Sequence, residues 1–512
     1  MEEPNFWSVI PPLIALGLIL LTRRVLLSLG AGIIAAAFIV HDGNPAAAIS
    51  DIALTITGFF YTDGALNTWE LYILLFLFML GIMTALITYT GGSRAFGEWA
   101  LRRVKTRAGA QAATLLFGII VFIDDYFNSL TVGQVSRPAT DRFRVSRAKL
   151  AYIVDSAAAP ICVLAPLSSW GAYIITIIAG ILADEGITAY SGFEAFIYMI
   201  PMNFYALTAI LFAFLVIVWR VNIGPMKTHE TRALNTGELL NPARGAVPGG
   251  GQTEAVHTGR VRDLVVPIIV LIGSTVFFML WTGAQAAGSG AGILDMFADT
   301  DVATSLLYGG AIGVLTAVGL TLTYKPAGRE LARTTGAGIQ SMLPAVYILL
   351  FAWTIAAFID ALGTGEYLAG VVDGAIAPMW LPAVLFVVAG FMAFSTGTSW
   401  GSFGLLLPIA GEMAAVIDPS MMLVMLASVL AGSIFGDHCS PISDTTILSS
   451  TGAGSHHIDH VLTQLPYALI VAATSIAGFI LTGATGSTAI GLTASLGLAI
   501  VIAWLLRGTR ES

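Results

Sequence analysis

The sequence predicts an all-α polytopic membrane protein assembled from two related halves. Three observations carry that prediction. Hydrophobic residues fill 56% of the 512 positions and charged ones only 11%, with a mean hydropathy of +0.85, far above the range of soluble domains. Apolar runs long enough to cross about 30 Å of hydrocarbon recur along the whole chain. Short motifs also recur at one offset: YILLF at 72–76 and again at 347–351, 275 positions later (347 − 72). The pattern proline, apolar, serine, any residue falls at 166–169 and at 441–444, again 275 apart (441 − 166).

Eleven transmembrane helices are expected, near 6–22, 25–40, 69–89, 151–182, 195–219, 263–282, 302–323, 341–359, 421–450, 464–483 and 489–506. The chain opens Met1, Glu2, Glu3 without the basic stretch of a secretory signal, so the first run is expected to be retained. Linkers holding Arg23 and Arg24, Arg94 to Arg107, Arg137 to Lys149, Arg220 to Arg262, Lys325 to Arg333, and Arg507 with Arg510 are basic. Those holding Asp42, Asp51 and Asp63, Asp184 to Glu194, Asp295 to Asp301, Asp360 to Asp373, and Glu412 with Asp418 are acidic. The positive-inside rule puts the basic set in the cytoplasm.

The two sets alternate except around two apolar segments, 110–133 and 380–411, each with linkers of one sign at both ends. Such a segment returns to the side it left, so each is read as a re-entrant hairpin. The polar centres FIDDYFNS (122–129) and FSTGTSWGS (394–402) suit tips of irregular backbone held inside protein. The tips Phe122 and Phe394 match at an offset of 272 (394 − 122). The N-terminus is then outside and the C-terminus cytoplasmic. An odd number of spans per copy inverts the second, giving an inverted repeat of the kind secondary transporters use. The expected organisation is a first repeat over 1–220, a flexible cytoplasmic linker over 221–262, a second repeat over 263–483, and an extra transmembrane helix over 484–512.

Both long segments, 151–182 and 421–450, contain proline among small polar residues: APLSSWG (165–171) and DHCSPISDTT (437–446). Proline removes a backbone donor and breaks a helix. Each segment is therefore expected to be discontinuous, exposing carbonyls that ligate cations and N–H groups that favour anions. Ser443 or Asp444 is placed to cap the second half-helix.

Four irregular polar regions, two tips and two breaks, are expected to meet at the centre. Their acids are Asp124, Asp125, Asp155, Asp437 and Asp444; Asn128, Ser129, Ser168, Ser169, Thr396, Thr398, Ser399, Ser440, Ser443 and Thr445 add the oxygens that a hard cation requires. Asp125, Asn128, Asp437 and Asp444 are the expected Na+ ligands. Asp124 and Asp125 are adjacent, so on a helix only one would face a given site, and Asp125 is favoured. A buried carboxylate holds a proton or Na+ but not both, which is enough for exchange.

Asp155 has a plainer reading as a polar contact to a hairpin. His438 either titrates near neutrality or bonds to backbone. His456, His457, Asp459 and His460 are expected on a solvated face at the cytoplasmic mouth, with pH sensing and a structural metal as the other readings. Cys162 and Cys439 are too few for a disulfide framework. No arginine falls within the predicted site, and no basic block suggests nucleic acid. A channel would need a continuous pore, and no nucleophile–base pair suggests an enzyme.

Two long motifs resemble the NhaC-type Na+/H+ antiporter family of the ion-transporter superfamily. One is GDHCSPISDTTILSSTGAG (436–454) followed by HIDHVLTQLPYA (457–468); the other is FIDDYFNSLTVG (122–133) followed by RPATDRFRVSRAKLAYIVDSAAAP (137–160). The resemblance implies exchange of Na+ for H+ across a prokaryotic inner membrane by alternating access, with no cofactor beyond the transported ions. It also implies an elevator-like homodimer in the lipid bilayer. The chain is similar as well to groups that exchange organic acids or amino acids, whose carboxylates the half-helix N-termini at Ser168 and Asp444 would receive.

Overall fold

The computed structural model describes residues 5–22, 24–62, 64–101, 104–245, 258–288, 292, 296, 300–372 and 376–507. Arg23, Asp63, Arg102, Arg103, Asp295, Asp299, Asp373 and Arg510, used above to assign sides, lie outside the described residues, as do linker residues 246–257. The described chain is almost wholly helical. Its strands are Tyr61–Thr62 and Ala65–Leu66, paired antiparallel.

Among the described residues nine helices are long and apolar enough to cross a membrane, or ten if Gly192–Met202 and Phe204–Val218, bent by 47°, count as one. The chain is thus a multi-pass α-helical membrane protein. The expected spans at 6–22 and 25–40 form helices of only 13 and 16 residues, Ile10–Thr22 and Val25–Val40, short of the ~20 residues that cross hydrocarbon. An additional apolar helix, Pro45–Gly58, is started by Asn44, whose side chain accepts from the amides of Ala46 and Ala47. Reading Asp42 and Asp51 as loop charges hid it.

The two segments expected to be re-entrant hairpins are helix–tip–helix units with arms in contact, and the arms of the second, Pro378–Thr396 and Ser399–Ile417, are each among the helices long enough to cross a membrane. Hairpin 1 runs Arg107–Ile120 then Asp125–Arg142, and hairpin 2 runs Leu381–Thr396 then Ser399–Ile417. The local chemistry explains both tips. Asp124 caps the second arm of hairpin 1 by accepting from Phe127 N at 3.0 Å. Asn128 Nδ2 donates to Gly118 O (2.7 Å) and Val121 O (2.8 Å), satisfying carbonyls at the end of the first arm. In hairpin 2, Gly397 ends the first arm at φ +72°, and Thr398 caps the second by accepting from Trp400 N at 3.3 Å.

Both broken helices are also present. Broken helix 1 is Arg147–Cys162 and Ser169–Asp184, and broken helix 2 is Met422–Cys439 and Asp444–Ala453. Their second halves are capped by Ser168 and by Ser443, so Ser443 rather than Asp444 does the capping.

Each tip docks on a break. Ser169 N donates to Ile123 O at 2.9 Å, and Asp444 N donates to Gly397 O at 3.4 Å. The first half-helices end alike: Cys162 Sγ donates to Phe122 O at 3.3 Å and Ser440 Oγ to Phe394 O at 2.6 Å. The docking amides are 275 positions apart (444 − 169) and their acceptors 274 (397 − 123).

The segment read as a flexible connector is ordered over 221–245. Its helix Gly224–Thr236 buries Glu230, whose Oε2 pairs with Arg107 Nη2 at 2.7 Å while Oε1 accepts from Ser146 N at 2.9 Å. Arg244 Nε lies 2.6 Å from Asp459 on the helix His457–Thr485. This strap ties hairpin 1, broken helix 1 and the closing helix together. A buried carboxylate with two charged or N–H donors fixes it, a tertiary contact that glycine and proline content does not report.

Candidate functional site

The site grows from the two tip-on-break junctions. At the first, Asp124 Oδ2 accepts from Ser169 Oγ at 3.1 Å and Asp125 Oδ1 from Trp170 Nε1 at 3.0 Å. The two carboxylates therefore face one half-helix. Adjacency does not divide them, because Asp124 is an extended capping residue (φ −155°) and only Asp125 is helical. Asp125 Oδ2 and Asn128 Oδ1, one helical turn apart, are buried and have no hydrogen-bond partner. The charges of Asp124 and Asp437 act on Asp125.

At the second junction Asp437 is a hub. Its Oδ2 accepts from Ser399 N (3.1 Å) and Ser399 Oγ (2.8 Å), and its Oδ1 accepts from Ser443 Oγ (2.5 Å) and Thr445 Oγ1 (3.2 Å). Hairpin 2 and both halves of broken helix 2 are joined through this carboxylate.

Other expected residues do structural work. Thr396 Oγ1 donates to Thr398 O within the tip, Ser440 Oγ to Phe394 O, and Ser168 Oγ to Cys162 O. Asp444 is exposed rather than buried, with Tyr126 Oη donating to it at 3.2 Å.

Asp155, fully buried, belongs to a third cluster. It accepts from His460, Gln464 and Thr446, and Ser449 Oγ lies 3.3 Å from its Oδ1 and 3.1 Å from Ser129 Oγ. His438 Nε2 meets Ser156 Oγ at 3.2 Å and its Nδ1 meets Tyr205 Oη at 2.8 Å, so its ring bonds to side chains rather than backbone.

The solvated-face reading of the histidine cluster fails. His456, Asp459 and His460 are buried, because the strap covers Asp459 through Arg244 and broken helix 1 covers His460 through Asp155. Among the described residues no group of three or more His, Cys, Asp or Glu is arranged to hold a metal ion. Gln464, Tyr205 and Trp170 are polar partners that sequence reasoning missed, and His460, read on a solvated face, was not placed with Asp155. His460 and Gln464 did carry a signal, since spacing of four puts them on one helix face beside a predicted site.

Of two cavities among the described residues, the first reaches Asp124. That cavity, of about 590 Å³, lies between the helices Thr68–Thr90 and Gly328–Ala361 and hairpin 1, lined by Tyr89, Asp124, Tyr126, Glu330, Arg333 and Ser341 among others. Arg333 on this wall comes from the helix Gly328–Ala361, which the repeat did not connect to the tips. A second cavity, of about 440 Å³, carries five carboxylates: Glu70, Asp184, Glu185, Asp360 and Glu412.

The chain was compared with known proteins. The model of the Na+/H+ antiporter family matches residues 161–484, more than half of the chain. A Haemophilus influenzae protein, described as uncharacterized, is 47% identical over 98% of this chain and 96% of its own length. The malate-2H+/Na+-lactate antiporter of Bacillus subtilis is 28% identical over 33% of this chain and 35% of its own. Among solved structures, Neisseria gonorrhoeae MtrF, of a class of antimetabolite efflux pumps, aligns with a TM-score of 0.50 at 15% identity, covering 91% of this chain and 85% of that one. That likeness is one of fold. The chain belongs to the Na+/H+ antiporter family, and it is a secondary membrane transporter rather than a protein of an enzyme family.

Proposed function

We propose that the protein exchanges Na+ for H+ by alternating access, with Asp125 and Asn128 as the centre of the cation site. One observation carries this reading. Asp125 Oδ2 and Asn128 Oδ1 are buried oxygens on one helical turn that no donor satisfies, and such groups cost about 1–3 kcal/mol each unless something binds them. A desolvated Na+ supplies a positive charge to both; a proton on Asp125 removes the buried charge instead. The two occupants exclude each other, which couples their movements.

Asp437 fits the same reading as a second contributor. Each hydroxyl around it is both donor and acceptor, so Ser399, Ser443 and Thr445 can turn lone pairs towards an ion that Asp437 neutralises. The acidic cavity would raise the local cation concentration at one mouth. The paired docking bonds at Ser169 and Asp444 favour two copies of one repeat, related by inversion, whose tips move as units. A homodimer in a prokaryotic inner membrane completes the proposal.

A second reading has its own support. A 590 Å³ cavity is of the size that takes small organic molecules, and a guanidinium such as that of Arg333 matches a carboxylate. Purified protein in liposomes with an internal pH dye separates the two. Na+ alone should drive proton movement if the first reading holds. A response that requires malate, lactate or arginine would replace it with the second.

A further inference from the structure

Asp155 and His460 form a buried pair outside the Asp125–Asn128 site. Asp155 lies within the half-helix Arg147–Cys162, and His460 starts the closing helix; the two are 0% exposed. His460 Nε2 is 3.1 Å from Asp155 Oδ2, which also takes Gln464 Nε2 at 2.6 Å and Thr446 Oγ1 at 3.2 Å, while Ser449 Oγ is 3.3 Å from Oδ1. Among the described residues no lysine or arginine pairs with Asp155. Its charge is met by neutral donors and by one titratable ring.

The bonding pattern fixes where a proton is missing. An ionised carboxylate only accepts, so His460 Nε2 carries the hydrogen and Nδ1 is left as an acceptor. That Nδ1 is buried and has no partner. An acceptor nitrogen without a donor thus sits on a buried carboxylate without a cation, and one proton, added at Nδ1, answers both. The pair is then a neutral imidazolium–carboxylate in place of a buried negative charge.

The pair is wired to the cation site. Ser449 Oγ lies within hydrogen-bond distance of both Asp155 Oδ1 (3.3 Å) and Ser129 Oγ (3.1 Å); its single hydrogen serves one of them while its lone pair can accept from Ser129, and Ser129 directly follows Asn128. Other titratable or charged groups around the pair are His438 and Asp437 on the half-helix Met422–Cys439, with Thr446 Oγ1 in reach of both Asp155 and Asp437 O, and, on the helix of His460, His456, His457 and Asp459. Asp459 is already committed to Arg244 of the strap, beside His229.

We infer that Asp155 with His460 carries a proton of its own, additional to the one that competes with Na+ at Asp125, and that Na+ binding drives it off through the Ser129–Ser449 link. The proton leaves His460 Nδ1 for solvent and the pair returns to neutral imidazole and carboxylate. The inference rests on the exchange reading above.

The test is Na+ affinity of the purified full chain, measured by calorimetry at several pH values. The slope of log Kd against pH counts protons released per Na+. Wild type should show a slope above one, and His460→Gln, which keeps a donor to Asp155 but cannot titrate, should fall to about one. A wild-type slope of one or less overturns the inference without needing the variant, as does a variant that keeps the wild-type slope. A wild-type slope of zero would remove the exchange reading along with it.

Discussion

Asp444 N donates to Gly397 O as Ser169 N donates to Ile123 O, so each hairpin tip terminates on the first amide of a half-helix. Each tip is thereby joined to its broken helix.

Gly397 is where that docking is most exposed to mutation. Its φ of +72° favours glycine, and a Cβ there would lie 2.4 Å from Ile442 O. Gly397→Ala should lower thermal stability in detergent by at least about 1 kcal/mol and slow transport. An unchanged melting curve would contradict the docking geometry.

Glu230 should matter although it lies in the linker. Glu230→Gln removes the charge that meets Arg107 and weakens the acceptor for Ser146 N, a loss of about 1–3 kcal/mol. Arg107→Gln should cost less in the Glu230→Gln background than alone, as thermal unfolding of the double-mutant cycle would report.

The strap should also respond to pH. Burial holds the His229 imidazole below its ordinary pKa, with Arg232 and Arg244 adding to the effect and Asp459 opposing it; Nδ1 lies 3.0 Å from Arg232 Nη2. The unfolded imidazole binds its proton more readily, so this group stabilises the strap above about pH 6.5 and loses that contribution as pH falls through the folded value. Amide exchange over Gly224–Thr236, corrected for intrinsic rates, should quicken relative to pH 7.5 when pH drops to about 5.5, and His229→Asn should abolish the difference.

Much of this architecture was legible because hydropathy, charge and repeats report it directly. Proline among small polar residues marked both breaks, and linkers of one sign marked both hairpins. What stayed hidden was tertiary. Nothing local told that Asp459 and His460 would be covered by the strap and broken helix 1, or that Arg333 would line a cavity reaching Asp124. Asp444 was read as buried from its surrounding hydropathy, while its side depended on helical phase. Asp124 and Asp125 were separated by a helical rule that the capping backbone of Asp124 escapes.

The central claim is that Asp125 and Asn128 hold the exchanged cation. It is tested most directly by Na+-driven proton flux in liposomes holding wild type or Asp125→Asn, each first confirmed as folded by size exclusion. Wild type should dissipate an imposed pH gradient on Na+ addition, and Asp125→Asn should show no flux above empty vesicles. A folded Asp125→Asn protein with wild-type flux would contradict the account.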